Sequence, residues 1–229
     1  MKSFREYSDP DTCTPGARLV SLNVGMPQPL DHRGQDVQSG IFKTPVEGAL
    51  WIDEIRLEGD DQADKIGHGG PNRRVCVHPL ENFPYWAGRI GQPLKHGAFG
   101  ENFTTEGLVE SEVIIGDVYR VGTSVLQVSQ PRTPCFKLAA RYGVKQLAGW
   151  FAQTGLTGFY LRLPEAGKFQ TDDTISLLDR PLHGVTVLET NRVMYRDRRD
   201  FAALERLLSV PELSVPWLET FEERLIKAS

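Results

Sequence analysis

The feature that most limits what this chain can fold into is the shortness of its apolar runs. Up to about residue 178 these runs are only a few residues long, and nearly all are bounded by Gly, Pro, Asp or Asn. Turn residues are frequent, since the chain contains 22 Gly and 15 Pro. Short strands separated by turn signals are typical of a β-sandwich or a β-barrel. The apolar runs predicted to be strands are 19–24, 41–42, 49–52, 55–57, 75–78, 118–121, 125–129, 159–163 and 175–178.

Helical signals interrupt this strand pattern at two places. Residues 82–89 are predicted to form one helix, and a second is predicted to begin at Thr133, a good N-cap residue. Pro134 then suits the first helical position, and Cys135 falls at the second. Residues 25–40, rich in Pro, Gly, Asp and Gln, are expected to form a long loop.

After about residue 181, helix-capping signals replace the strand signals. Thr186 and Glu189 form a possible capping box that opens a helix to about residue 195. Asp197 or Asp200 can cap a second helix, and Ser214 can start a third. The fold class is therefore expected to be β-rich, within the α+β class. The predicted parts are a loose arm at 1–17, a β-rich domain at 18–181 and a three-helix domain at 182–229.

Composition and charge exclude several classes of protein. The 229 residues are 40% hydrophobic and 24% charged, as in globular domains, and the formal net charge is −4. An acidic chain is a poor candidate for nonspecific binding to nucleic acid. No apolar run is long enough for a membrane span, and no signal peptide is visible. Three scattered cysteines do not form a disulfide framework, so we expect a soluble, reduced, cytoplasmic protein.

Cys135 is the residue whose surroundings best suit chemistry. It lies between Arg132 and Lys137, just inside the predicted helix start. Nearby cations and a helix N-terminus both favour the thiolate, the form that attacks electrophiles and binds soft metals. The alternative interpretation is a buried structural cysteine beside incidental basic residues.

A glycine-rich loop is a second candidate site. His68, Gly69 and Gly70 precede a proline, and paired glycines allow the backbone to approach a ligand closely. Arg73 or Arg74 could form a bidentate contact with a phosphate. By itself, an ordinary glycine turn with solvated arginines is the more economical interpretation.

A third candidate loop, 99–103, could present Glu101 and Asn102 into a pocket between two aromatic residues. A loop held by a partly buried aromatic pair explains the same pattern equally well. Cys76 falls inside an apolar run and is interpreted as a core residue.

Three arginines, Arg196, Arg198 and Arg199, cluster near Asp197 and Asp200. A solvated loop is favoured for this cluster over a surface that binds a partner.

Taken together and in this order, the motifs resemble the MOSC family, the domain named after the C-terminal part of molybdenum-cofactor sulfurases. The resemblance is strongest to its bacterial YiiM-like branch, which carries a three-helix extension. It covers most of residues 40–180. The matching segments are 57–64, 68–71, 99–102, 116–117 and 130–137.

The resemblance implies a MOSC-type β-barrel that binds a pterin-based molybdenum cofactor. Cys135 would bind the molybdenum. The cofactor pocket would be formed by His68, Gly69, Gly70, Arg73, Glu101, Asn102, Arg132, Cys135 and Lys137, with His68 or Glu101 as proton donor. Relatives of this kind reduce N-hydroxylated compounds such as hydroxylaminopurine-type base analogues.

The implied reaction also sets expectations about partners. No flavin motif is visible and three cysteines cannot form a four-cysteine iron–sulfur site, so electrons would come from an external flavin or iron–sulfur reductase. No nucleic acid or membrane partner is expected, and a homodimer is possible. Two alternatives use the same thiol: a sulfur carrier with a persulfide on Cys135, and a module that only binds or delivers the cofactor. No aminotransferase-like domain is visible, so a full cofactor sulfurase is not expected.

Overall fold

The computed structural model describes residues 17–64 and 69–227, which form an α+β fold dominated by one large sheet. The predicted arm therefore lies almost wholly outside the described residues. The strands are β1 (Arg18–Val24), β2 (Gln28–His32), β3 (Gln35–Ser39), β4 (Thr44–Pro45), β5 (Leu50–Ile52), β6 (Val75–Pro79), β7 (Phe103–Glu106), β8 (Val118–Val121), β9 (Ser124–Pro131), β10 (Phe159–Glu165), β11 (Gly167–Phe169) and β12 (Ile175–Asp179). The α-helices are α1 (Phe83–Ile90), α2 (Phe136–Tyr142), α3 (Leu147–Thr154), α4 (Val187–Tyr195), α5 (Phe201–Leu208) and α6 (Val215–Ile226).

The large sheet curls toward closure. Its strand order is β12-β8-β9-β10-β6-β7-β1-β4, and β6 pairs with β7 in parallel while the other neighbours are antiparallel. Beyond the ladder, Leu19 N donates to Asp173 O at 2.9 Å and Ile175 N to Ala17 O at 3.1 Å. These bonds bring β1 back to β12, so the sheet approaches the expected barrel.

The main apolar core belongs to the sheet and to the C-terminal helices together. Phe159 and Leu161 of the sheet belong to the same buried cluster as Trp217 and Phe221 of α6. Backbone bonds also join the two parts, since Ser214 N donates to Ser129 O at 3.1 Å. The last three helices therefore pack on the sheet through a continuous core.

A second apolar cluster lies under α1, α2 and α3. Its centre is the stacked pair Trp86 and Phe151, whose ring centroids are 4.0 Å apart. Leu30 of β2 joins this cluster and anchors the hairpin formed by β2 and β3.

The prediction of a long loop at 25–40 is wrong, because β2 and β3 form a hairpin there. Its two-residue turn is Arg33–Gly34, and both residues have positive φ, 60° and 79°. Paired positive φ values suit the twist of a two-residue hairpin. Most side chains of the hairpin are exposed, so the strands lack the apolar alternation that would have identified them. The short runs 41–42 and 55–57 do not form strands.

The helix predictions are confirmed wherever a local cap determines the start. Thr186 Oγ1 accepts a hydrogen bond from Glu189 N at 2.9 Å, and Asp200 caps α5 through Ala203 N. The predicted start at Thr133 is wrong, because α2 begins at Phe136 and Cys135 is its N-cap. Arg132 N still donates to Gly158 O at 3.0 Å, so strand pairing keeps the chain extended past β9. Among the described helices, none combines the length and apolarity that a membrane span requires.

The shared core predicts that α6 stabilises the sheet. Phe221→Ala is expected to lower the free energy of unfolding by about 3–5 kcal/mol, because it leaves a cavity where a fully buried ring packs. Ile226→Ala, at a residue that is 68% exposed, is the matched control and is expected to change it by less than about 0.5 kcal/mol. Urea unfolding followed by tryptophan fluorescence measures both. Equal small effects would show that the helices are an independent unit.

Candidate functional site

An open cleft, with about 610 Å³ of empty space out to its mouth, lies beside β6 and β10. The segment after β9 closes one side of it, and the chain that follows β3 closes another. Four predicted site residues line it: Asn102, Arg132, Cys135 and Lys137. The remaining lining residues are Ser39, Gly40, Ile41, Lys43, Gln62, Ala63, Asp64, Cys76, Gly100, Thr133 and Tyr160.

Cys135 lies at the junction between the extended segment and α2. Its backbone is extended, with φ −129° and ψ 143°, and its side chain is partly exposed and not in a disulfide. The thiol therefore faces a cleft that a ligand can enter. This position results from strand pairing that persists to Arg132, and not from a place inside the helix.

Two buried cations of the cleft, Arg132 and Lys137, form no ion pair within the described part of the chain. Arg132 Nη2 donates to Phe99 O, but Arg132 Nη1 is buried without a hydrogen-bond partner. Lys137 is buried and makes no ion pair within the described part of the chain. A buried unpaired charge is costly, so an anion in the cleft would stabilise both side chains.

The third cation, Lys43, is compensated. It pairs with Asp60, whose Oδ1 also accepts from Gly25 N at 2.9 Å. Asn102 Nδ2 donates to Asp60 Oδ2 at 3.0 Å, while Asn102 Oδ1 accepts from Cys76 N at 3.1 Å. Asn102 thus lines the cleft, but its amide fastens β6 to the Lys43–Asp60 pair.

Glu101 is not brought to the cleft surface. Its buried carboxylate accepts hydrogen bonds from Gly97 N at 2.6 Å, Phe99 N at 2.9 Å and Thr104 Oγ1 at 2.9 Å. Burial raises the pKa of the Glu101 carboxyl, and these hydrogen bonds oppose that rise. Because Phe99 O accepts from Arg132, Glu101 holds the loop that positions the arginine. This geometry gives no support to proton donation by Glu101.

The glycine loop borders a neighbouring cleft with about 830 Å³ of empty space out to its mouth, lined by Gly69, Gly70 and Arg73 together with Arg56 and Arg74. Gln62 lines both clefts, so the two are adjacent. The Arg73 guanidinium lies 5.9 Å from the ring centroid of Tyr160, which lines the first cleft. His68, proposed as a proton donor, lies outside the described residues.

The cleft residues that were not identified from the sequence as site residues include Lys43, Cys76 and Tyr160. Cys76 is buried as expected, yet it lines the cleft directly opposite Tyr160 in the register of β6 and β10. Burial raises the pKa of the Cys76 thiol and of the Tyr160 phenol, so both groups keep their protons at neutral pH. The local sequence signal for Lys43 was its position directly after the apolar pair 41–42.

Comparisons with known proteins agree with this architecture. A family model of the MOSC domain matches residues 64–176, and a model described as YiiM-like, 3-alpha helix domain matches residues 185–228. The chain is 44% identical to the uncharacterized protein YflK of Bacillus subtilis over 206 residues, which are 90% of this chain and 93% of YflK. It is 39% identical to protein YiiM of Escherichia coli over 189 residues, 81% of this chain and 84% of YiiM.

Two further similarities concern a longer protein and a solved structure. A protein of Gibberella moniliformis named Reductase is 33% identical over 199 residues, which are 85% of this chain but 35% of that protein. The crystal structure of YiiM from Geobacillus stearothermophilus superposes with a TM-score of 0.77 at 37% identity, covering 91% of this chain and 99% of that one.

The contacts of Glu101 predict a structural cost for Glu101→Gln. The amide has one acceptor oxygen, so its NH₂ group would face a backbone N–H, and the free energy of unfolding should fall by about 1–3 kcal/mol. Glu106→Gln is the matched control, since Glu106 forms only an exposed ion pair with Arg18 and should cost less than about 1 kcal/mol. Urea unfolding of both variants measures the difference. A Glu101 variant as stable as wild type would contradict this role.

Proposed function

Because this chain belongs to the MOSC domain family, in its YiiM-like branch, we propose that its cleft binds a pterin-based molybdenum cofactor and reduces N-hydroxylated small molecules. Hydroxylaminopurine-type base analogues are the proposed substrates. The electrons would come from a separate flavin or iron–sulfur reductase. The similarity to a protein named Reductase supports reductive chemistry.

One observation carries this proposal: a partly exposed thiol shares one cleft with two buried cations that form no ion pair within the described residues. Such a pterin cofactor combines a phosphate group with a soft metal centre. Cys135 offers the sulfur ligand that a soft metal prefers. Arg132, whose Nη1 is buried without a partner, and Lys137 offer the charges that a phosphate requires. The residues present therefore fit the group.

The proposed roles of the side chains follow from their places in the cleft. The cofactor, when bound, would supply two-electron redox chemistry and an open metal position. Cys135 Sγ would hold the metal, and Arg132 and Lys137 would hold the phosphate. Asn102 would support the cleft through its hydrogen bond to Asp60. Glu101 would position Arg132 through the loop at Phe99.

Reduction of N–OH to N–H consumes two electrons and two protons and releases water. The Tyr160 hydroxyl lies in the cleft and makes no hydrogen bond within the described residues. Because burial raises its pKa, the Tyr160 phenol keeps its proton at neutral pH and can donate a hydrogen bond to the departing oxygen. Tyr160 is a more accessible donor than Glu101.

The test is the molybdenum content per chain after purification from a host that makes the cofactor. Wild type should carry close to one molybdenum, and Cys135→Ser should lose most of it, because the hydroxyl is a poor soft-metal ligand. Cys76→Ser is the matched control and should keep its metal, since the buried Cys76 thiol stays protonated.

The competing functions predict different results from the same samples. A metal-free wild type with labile sulfur on Cys135 would indicate a sulfur carrier and would contradict the proposal. Bound cofactor without reduction of a hydroxylaminopurine by dithionite-reduced protein would indicate a binding or delivery module.

The cation at α2 gives a further prediction. Lys137→Gln should weaken cofactor retention at least about tenfold, because a charge-assisted hydrogen bond contributes about 1.5–3 kcal/mol. Lys145→Gln removes an exposed lysine near α3 and is the control. Pterin per chain after dialysis of the folded protein measures both. Equal retention would exclude Lys137 from the cofactor site.

A further inference from the structure

Three arginines without ion pairs lie on the turn between α4 and α5. Arg196, Arg198 and Arg199 are exposed, and none of them makes an ion pair within the described part of the chain. The two carboxylates of the same turn, Asp197 and Asp200, both pair with Arg192, at 2.5 Å and 3.0 Å. Arg192 offsets only one of these two carboxylates, so the segment from Arg192 to Asp200, with four arginines and two aspartates, carries a net charge of +2. We call these three residues the arginine surface.

The arginine surface begins beside the strand end that leads into the cleft. Tyr195, the last residue of α4, meets Trp217 edge-on, with ring centroids 6.3 Å apart. Trp217 lies in the first turn of α6, where Ser214 N donates to Ser129 O on β9. Ser129 Oγ in turn donates to Asn72 O at 2.6 Å, next to the neighbouring cleft.

The electrostatic neighbours of Tyr195 agree with this position. Burial raises the pKa of Tyr195 to about 12, and Thr133, Arg224 and Arg73 oppose the rise. Thr133 lines the first cleft and Arg73 the second. The end of α4 therefore reaches the region where both clefts open.

Arg224 of α6 lies near the arginine surface and carries the same sign of charge. Arg224 of α6 donates to Val193 O at 3.2 Å and to Met194 Sδ at 3.1 Å. Burial lowers the pKa of Arg224, and repulsion from Arg198 lowers it further. An anionic partner placed here would offset that repulsion.

We propose that the arginine surface docks an acidic electron-carrier protein, of the flavin or iron–sulfur class, beside the cleft. This inference rests on the proposed function. The chain as a whole is acidic, with net charge −4, so an acidic carrier needs a local positive surface to approach it. Local charge decides the approach, because the Debye length is only about 8 Å at physiological ionic strength. Rim charges of this kind steer association and orientation.

The electron balance requires such a carrier. Each N–O bond reduced takes up two electrons and two protons and releases one water, while the carrier is oxidised by two electrons in one or two encounters. Small, transient interfaces are typical of electron-transfer partners. Nucleic acid is the less suitable occupant, because three arginines on one turn of an acidic chain neutralise few phosphates.

The experiment compares carrier-driven with carrier-free turnover of molybdenum-loaded protein on a hydroxylaminopurine. The donors are reduced plant-type ferredoxin, reduced flavodoxin and reduced methyl viologen, a small cation that needs no docking surface. The variant is Arg196→Glu, Arg198→Glu and Arg199→Glu combined. Its matched control is Lys95→Glu, Lys145→Glu and Lys168→Glu combined, which makes the same charge change at exposed residues elsewhere.

For wild type we expect turnover with at least one acidic carrier, at a rate that falls as salt rises. The arginine variant should need at least about tenfold more carrier for half-saturation and should lose the salt dependence. Its methyl viologen rate should stay within about twofold of wild type, and the lysine control should resemble wild type with every donor.

Three results would overturn the inference alone. The first is equal carrier saturation by wild type and the arginine variant. The second is a wild type that methyl viologen reduces but neither carrier does. The third is an arginine variant that loses only binding to a single-stranded oligonucleotide. Metal-loaded wild type that methyl viologen cannot drive would instead refute the proposed function, and the inference with it.

Discussion

The pairing of β9 with β10, which continues past the end of β9, is the constraint on which the cleft depends. The bond from Arg132 N to Gly158 O keeps the chain extended to Cys135, so the helix begins one residue after the thiol. Gly158 makes this possible, because it has φ 72° and a Cβ there would lie 2.1 Å from Val77 O. Its N–H also donates to buried Glu110 at 2.7 Å. From the same strand, register places Tyr160 opposite Cys76.

The cleft combines two opposed tendencies, one toward stability and one toward ligand binding. Asp60, Asn102 and Glu101 have nearly all their polar atoms engaged, so the walls are rigid without a ligand. Arg132 and Lys137 are buried beside these residues and form no ion pair in the part of the chain that the structure describes. Buried polar groups that lack a partner are expected at functional sites, where a bound ligand supplies the partner.

Sequence reasoning succeeded where the determinant was local. Thr186 and Asp200 cap their helices within three residues of the bonds that they accept, so their helices could be predicted closely. The site was predicted in part: Arg132, Cys135 and Lys137 are neighbours in sequence and remain together in space. Tyr160 and Cys76 could not be placed beside Cys135, because their position depends on the register of strands far apart in the chain. The hairpin of β2 and β3 was not predicted, because its mostly exposed side chains do not alternate between apolar and polar along the strands.

The continuous core has a consequence for how the molecule is made. Phe221 and Trp217 belong to the same buried core as Val128 of β9 and Phe159 of β10, while the Ser214 bond ties α6 to the strand that leads into the cleft. During synthesis, a chain that still lacks these residues has one side of its sheet exposed to solvent. We therefore expect the main core to reach its native packing only after α6 has emerged from the ribosome. A ligand that needs the folded cleft would then be acquired after translation, by a molecule that has already folded.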